Sequence, residues 1–266
     1  MLSNLARIGL AAPAVALPMV LATGFEAPAD ANPLVTDGDF LAYNSTLTTT
    51  ANYYICSNGA GNTCTSNLTD WSGTCASGHN CGNGATPQTL ILYTNTTGSS
   101  WNGGIGLNAY TGPVAAGIGN DNVVALDGDS TYRSSIYQTI SGLTIGTVYA
   151  VSFYQAAAEQ SGNSQATTEQ WQVSLGSTSK TSTLMSNSTA KFVAWNSQTL
   201  YFEATAANEV LTFLALGGPA GDPPVDLLTD VSMVAAPEPA STALVVAGVA
   251  AAVAVRRRRQ KTPSPS

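Results

Sequence analysis

The chain has 266 residues, with nine Lys and Arg against sixteen Asp and Glu, a formal net charge of −7 and a single histidine, His79. Only 9% of it is charged, against roughly 25% in an ordinary soluble domain, while 44% hydrophobic residues are enough for a sizeable core. Residues 32–236 hold three cations, Arg133, Lys180 and Lys191, against thirteen acids, too few to neutralise a run of phosphates, so nucleic acid is excluded as a partner; one imidazole excludes any two-histidine metal site.

Residues 1–31 have the order of a secretory signal peptide. Arg7 supplies the positive start, Ile8 to Ala22 is mostly apolar, and Ala29-Asp30-Ala31 offers a small-x-small cleavage site. Asn32 is then the first residue after cleavage. Pro13 and Pro18 interrupt the apolar run and oppose its reading as a retained anchor.

The body, residues 32–236, reads as all-β. Residues 41–119 are irregular and hold Cys56, Cys64, Cys75 and Cys81, spaced by seven, ten and five residues. No C-x-x-C occurs, so a zinc knuckle is disfavoured. Export permits disulfides, and four cysteines allow three pairings; loop size favours Cys56–Cys64 with Cys75–Cys81. His79 between Cys75 and Cys81 leaves a Cys/His metal site as the alternative.

From residue 135 onward, alternation at the strand period is clear. Ser135 to Ile140 alternates, with Ile136, Gln138 and Ile140 on one face. Tyr149, Val151 and Phe153 share a face, as do Trp171, Val173 and Leu175, and Leu200, Phe202 and Ala204. Val210 to Leu216 is nearly continuous apolar, as in a central strand. Leu227, Thr229, Val231 and Met233 form one further alternating set. Ala156-Ala157-Ala158 is too short for a helix, and no internal repeat occurs.

The C-terminal part changes character. Pro237-Glu238-Pro239 precedes an uncharged run, 240–255, which ends at Arg256, Arg257, Arg258 and Arg259. As a helix, Pro239 to Val255 spans about 25 Å, against a hydrocarbon core of ~30 Å. The arginines would stay cytoplasmic, and residues 260–266 form a disordered tail.

Pro-Glu-Pro, an Ala/Val-rich span and an arginine block resemble the PEP-CTERM sorting signal, here over residues 237–259. The resemblance implies an exosortase as partner, cleavage near Pro237-Glu238-Pro239, and transient passage through the inner membrane of a Gram-negative-type bacterium that makes exopolysaccharide.

A second resemblance lies in the body. Asn32 to Phe40, NPLVTDGDF, is similar to the first strand of galactose-binding-like jelly rolls. Leu68-Thr69-Asp70-Trp71, Ala125-Leu126-Asp127-Gly128, Ile136 to Ile140, Gly142 to Tyr149, Leu211-Thr212-Phe213 and Asp230-Val231-Ser232-Met233 continue the pattern. It implies a jelly-roll β-sandwich like that of carbohydrate-binding modules. In such modules related positions help hold a structural calcium, for which Asp37, Asp39, Asp226 and Asp230 could give hard oxygen ligands. Leu41 and Thr229 stand where the pattern has acids, so solvated turn aspartates are the favoured reading, and no cofactor is expected.

With one imidazole and no G-x-S-x-G elbow, a serine triad lacks its parts. A glycosidase needs two carboxylates at a set separation; Asp127, Asp129, Glu159 and Glu169 are the acids that could supply them. Sugar binding needs exposed aromatic faces flanked by polar groups. Trp71, Trp101, Tyr110, Tyr132 and Arg133 stand in polar or Gly-rich contexts and are the candidates, while Trp171 and Trp195 read as core. The expected role is structural or adhesive in an extracellular polysaccharide matrix at the cell surface. A specific carbohydrate-binding module is the alternative, and a glycan-active enzyme the third reading.

Overall fold

The computed structural model describes residues 34–42, 68–74, 106–114, 116–119, 121–189 and 191–237, and the backbone alone of residues 52–54, 56–57, 65–66 and 90–93. Segment 1–31, where a signal peptide is expected, the cysteine side chains, His79, Trp101, Glu238 and Pro239, the apolar run 240–255, Arg256 to Arg259 and the tail 260–266 lie outside the described residues. Among the described residues no helix is long and apolar enough to cross a membrane.

The strands in chain order are β1 (Asn52–Tyr54), β2 (Cys56–Ser57), β3 (Thr65–Ser66), β4 (Ser72–Thr74), β5 (Leu90–Tyr93), β6 (Val123–Asp127), β7 (Ser135–Ser141), β8 (Val148–Glu159), β9 (Thr167–Leu175), β10 (Thr178–Thr181), β11 (Met185–Asn187), β12 (Phe192–Glu203), β13 (Asn208–Gly218) and β14 (Pro224–Ala235). They form an all-β sandwich. One antiparallel sheet runs β1-β5-β6-β14-β8-β12; the other runs β10-β9-β13-β7-β4, with β11 also on β9. β2 and β3 pair separately.

The expected alternation sets the inner faces. Ile136 and Ile140 of β7, Val151 and Phe153 of β8, Trp171, Val173 and Leu175 of β9, and Leu211, Phe213 and Ala215 of β13 all enter the main core. β13 is central, between β9 and β7, as its apolar run predicts. Phe213 sits at the middle of an aromatic group, with ring centroids 5.1 Å from Phe153, 6.0 Å from Trp171 and 6.2 Å from Trp71. Such edge-to-face pairs add about 0.5–1.5 kcal/mol each beyond their area burial. The alanines 156–158 continue β8 rather than leaving it, and all three are fully buried.

Two expectations change. First, Leu227 does not share a face with Val231 and Met233. β14 shifts register against β8 between Thr229 and Ser232, and an extra residue in one strand reverses which residues point inward. Leu228, Val231 and Met233 enter the main core, while Leu227 and Val225 lie in a second cluster. Second, residues 34–42 form bends and a turn instead of a strand. Asp37 and Phe40 take positive φ, 51° and 55°, which breaks extended pairing. The segment still docks on β14 through Leu34 N–H to Met233 O (3.0 Å) and Val231 N–H to Gly38 O (2.9 Å). Gln138 locks it from the other sheet. Its side-chain oxygen accepts the Thr36 N–H, and its amide donates to Thr36 O and Asp70 O, each at 2.9 Å.

The second cluster lies on the far side of the first sheet. Val123, Ala125, Ala156, Ala158, Val225 and Leu227 point away from the main core and are covered by Leu107 and Tyr110, with Phe192 and Trp195 packed at the side. Segment 106–114 therefore closes one half of this outer face. Among the described residues nothing covers the other half.

Candidate functional site

The open half is built by alternation on β8 and β12. Because Tyr149, Val151 and Phe153 point inward, Ala150, Ser152 and Tyr154 must point outward. Directly opposed residues share a face: Tyr154 stands opposite Ser197, Ser152 opposite Thr199, and Ala150 opposite Tyr201. On the other flank, Thr229, Ser232 and Val234 of β14 oppose Tyr154, Ser152 and Ala150. Ser152 and Thr199 hydroxyls bond each other at 3.0 Å.

Three aromatics line this strip. Tyr201 is 51% exposed, and Tyr154 and Trp195 are half-buried. At ~3.3 Å per residue the level of Tyr154 and that of Tyr201 are about 13 Å apart. Trp195 sits at the boundary with the covered half. Its indole N–H donates to Thr111 O at 2.8 Å, and its ring meets Phe192 edge-on at 6.4 Å. The result is a strip of aromatic side chains interspersed with hydroxyls, with no Lys or Arg among the described residues that form it. Rings of this kind stack on the C–H faces of sugars while hydroxyls exchange hydrogen bonds.

The aromatics expected from sequence lie elsewhere. Trp71 is 1% exposed, packed between Phe40 (5.5 Å) and Phe213, and its indole N–H donates to Asp37 O at 2.9 Å. It offers no face to a ligand, because Gly73 and its neighbours join β4 to β7 and turn the ring inward. Tyr110 is likewise buried, edge-on to Phe192 at 5.9 Å. Tyr132 and Arg133 are half-buried in the loop between β6 and β7, away from the open strip. Trp171 is fully buried. Tyr154 and Tyr201 carried a usable signal: each lies out of phase with the apolar residues of its own strand.

The acids form two groups. Asp37, Asp39 and Asp230 are brought together with Asp121, which the sequence pattern did not single out. Burial, with Asp39 beside it, holds Asp37 up at about 6, and burial with Asp230 and Asp39 does the same to Asp121, also about 6. Asp230 is raised too, by burial and Asp39. Asp226 does not belong with them: it points between the sheets. Among the described residues no group of three or more acid, His or Cys side chains is placed to hold a metal ion.

Asp226 belongs with Glu169, Asp127 and Glu159 at the loop end of the sandwich, and these are all buried. Asp127, Glu159 and Glu169, three of the four acids that could supply a glycosidase pair, are thus near one another and buried. Asp129 serves the loops: its carboxylate accepts the Thr131 N–H at 2.7 Å and the Gly221 N–H at 2.6 Å.

No family model and no curated protein matches the chain. Among solved structures it is similar to TmCBM61, solved with β-1,4-galactotriose (14% identity over 55% of this chain and 88% of that one, TM-score 0.31). It is also similar to the N-terminal cellulose-binding domain of Cellulomonas fimi β-1,4-glucanase C (20% identity, 58% and 93% covered, TM-score 0.30). A third is the CBM22-1 xylan-binding domain of Paenibacillus barcinonensis Xyn10C (11% identity, 54% and 92% covered, TM-score 0.28). All three are β-sandwich carbohydrate-binding modules.

Proposed function

We propose that this protein binds neutral polysaccharide on the open strip of β8 and β12, as an adhesive component of an extracellular matrix. The observation that carries the reading is the row Trp195, Tyr154 and Tyr201, set among Ser152, Ser197 and Thr199 on a face without cations. A strip that runs along two paired strands suits an extended chain, and the absence of Lys and Arg among its described residues disfavours an anionic one. Burial of Asp127, Glu159, Glu169 and Asp226 away from this strip supports binding rather than hydrolysis.

The test is retention on insoluble neutral polysaccharides by the full chain and by Tyr154→Ala and Tyr201→Ala. Each lost stacking ring should weaken retention by about 1 kcal/mol, roughly fivefold, with the fold intact. Unchanged retention in the double variant, or equal retention on an anionic polymer, refutes the reading.

Delivery is part of the same proposal. Residues 1–31 export the body, and an exosortase cuts near Pro237-Glu238-Pro239 after Arg256 to Arg259 halt the tail at the inner membrane. Mass spectrometry of the surface protein from the native host tests this: dominant intact peptides from Val234 through Val255 would make the tail a plain anchor.

A further inference from the structure

The loop end of the main core holds an unusual set of groups. Asp226 (β14) and Glu169 (β9) are 0% exposed, as is Glu159 (β8); Asp127 (β6) is 8% exposed, and Asn187 (β11) 2%. Strand alternation turns Glu169 inward beside Trp171, and Asp226 inward beside Leu228. Met185 opposes Glu169 and Asn187 opposes Thr167, so the Asn187 amide enters the same space. Ala157, opposite Asp226 in the neighbouring strand, leaves that space unfilled by side chain.

Few of these groups are paired. Both oxygens of Asp226, Oε2 of Glu169, and both polar atoms of the Asn187 amide are buried without a hydrogen-bond partner. The amides of Gln170 and Leu216 face Asp226 without reaching bonding geometry. Glu169 bonds the Thr167 hydroxyl, and Glu159 accepts the Gln165 N–H at 3.0 Å and the Asn108 amide at 3.3 Å. The backbone leaves no slack: a Cβ on Gly128 would lie 2.7 Å from Asp226 Oδ2 and 2.6 Å from Gly217 N.

Among the described residues no cation acts on Asp127, Glu169 or Asp226. The groups that act on them are one another: Glu169 and Asp127 on Asp226, Glu159 on Glu169, Asp129 on Asp127. None of Arg133, Lys180 and Lys191 is among them. Unpaired carboxylates are very costly to bury, so such groups keep their protons instead.

We propose that this nest is a proton-held clasp: while Glu169 and Asp226 are protonated and uncharged they stay buried between β9 and β14, and their ionisation loosens that end of the sandwich in alkaline medium. Burial raises Glu169 to about 8, Asp127 to about 7, and Asp226 well above its ordinary range. The sign follows from linkage. In the unfolded chain these groups lose their protons near pH 4, while in the folded chain Asp127 and Glu169 keep them up to about 7 and 8, and Asp226 is raised in the same direction. Stability is therefore greatest in mild acid and falls as pH rises through that window, levelling off above the folded values. Each such group changes the folding equilibrium by up to about tenfold per pH unit within the window.

The experiment is urea unfolding of the full chain from about pH 5 to pH 9.5, with and without EDTA, alongside hydrogen exchange of residues 167–171 and 224–228. Glu169→Gln and Asp226→Asn keep shape and remove titration. The wild-type midpoint should fall steadily toward alkaline pH, and exchange in the two stretches should rise before that of residues 135–141. Both variants should show a shallower fall. Equal slopes in wild type and variants would overturn the proposal. So would a slope present only in EDTA, since the nest would then hold a cation rather than protons. If a variant does not fold, the order of exchange in the wild-type chain decides alone: uniform exchange at every pH would refute the clasp.

Discussion

Replacing Trp71 by Ala separates the core reading of this residue from the sugar-platform reading its sequence context suggests. Trp71 is 1% exposed and touches Phe40 and Phe213. Truncating a buried Trp costs about 3–5 kcal/mol through lost transfer energy and the cavity left behind. The indole N–H also gives Asp37 O a partner at 2.9 Å; that oxygen still accepts the Phe40 N–H at 3.2 Å, so losing the indole bond adds only about 1 kcal/mol. The sum is about 4–6 kcal/mol. For a body of this size 1 kcal/mol shifts Tm by roughly 2–4 °C, so Trp71→Ala should melt roughly 8–24 °C lower. Trp71→Phe, which keeps the edge contacts, should lose less than half of that. Thermal unfolding by circular dichroism gives both values, and retention on polysaccharide at a temperature where both proteins are folded gives the other arm. A loss below about 1 kcal/mol, combined with weakened retention, would refute the burial argument.

Gln138→Leu leaves Thr36 N–H, Thr36 O and Asp70 O without their partner and should cost about 3 kcal/mol, near 1 per bond, with hydrogen exchange rising first in residues 34–42. Gly128→Ala places a methyl against backbone nitrogen and the Asp226 carboxyl and should cost about 1–3 kcal/mol in urea unfolding. Trp195→Phe removes the bond to Thr111 O and should destabilise by about 1 kcal/mol, read as faster exchange across residues 106–114 while β7 and β13 are unchanged.

What the sequence disclosed was periodicity. Alternation was clear strand by strand from residue 135, and the inner faces of β7, β8, β9 and β12 follow it, while β13 was legible only as an apolar run. The bulge in β14 escaped because Leu227, Thr229, Val231 and Met233 keep perfect spacing in the chain while the register slips in space. The aromatics show the same limit. A polar neighbourhood in sequence, as around Trp71, does not keep a ring exposed when neighbouring strands carry it inward. Tyr154 and Tyr201 were legible from their phase, but only once the opposite face was known to be core. The acidic nest was only half legible: Asp127, Glu159 and Glu169 were read together, but Asp226 was grouped with other aspartates, because the four come from four strands and meet only through the sheet order. Segment 106–114, which covers half the outer face, has no period of its own to announce it.

The position of β14 has a mechanical consequence. It is the last strand before Pro237, yet it lies inside its sheet, bonded to β6 on one side and β8 on the other. A pull applied at Pro237 along the strand cannot peel an edge residue by residue. It must slide twelve residues past β8 while Val225 to Leu228 are also held by β6, and the 34–42 hook bonded to Met233 and Val231 adds a third point of grip. Resistance to such a pull is set by the rate of that shearing step. A body held at this end and loaded through a polymer on β8 and β12 would carry the force across the β8–β14 seam, the longest in its sheet along with that between β8 and β12.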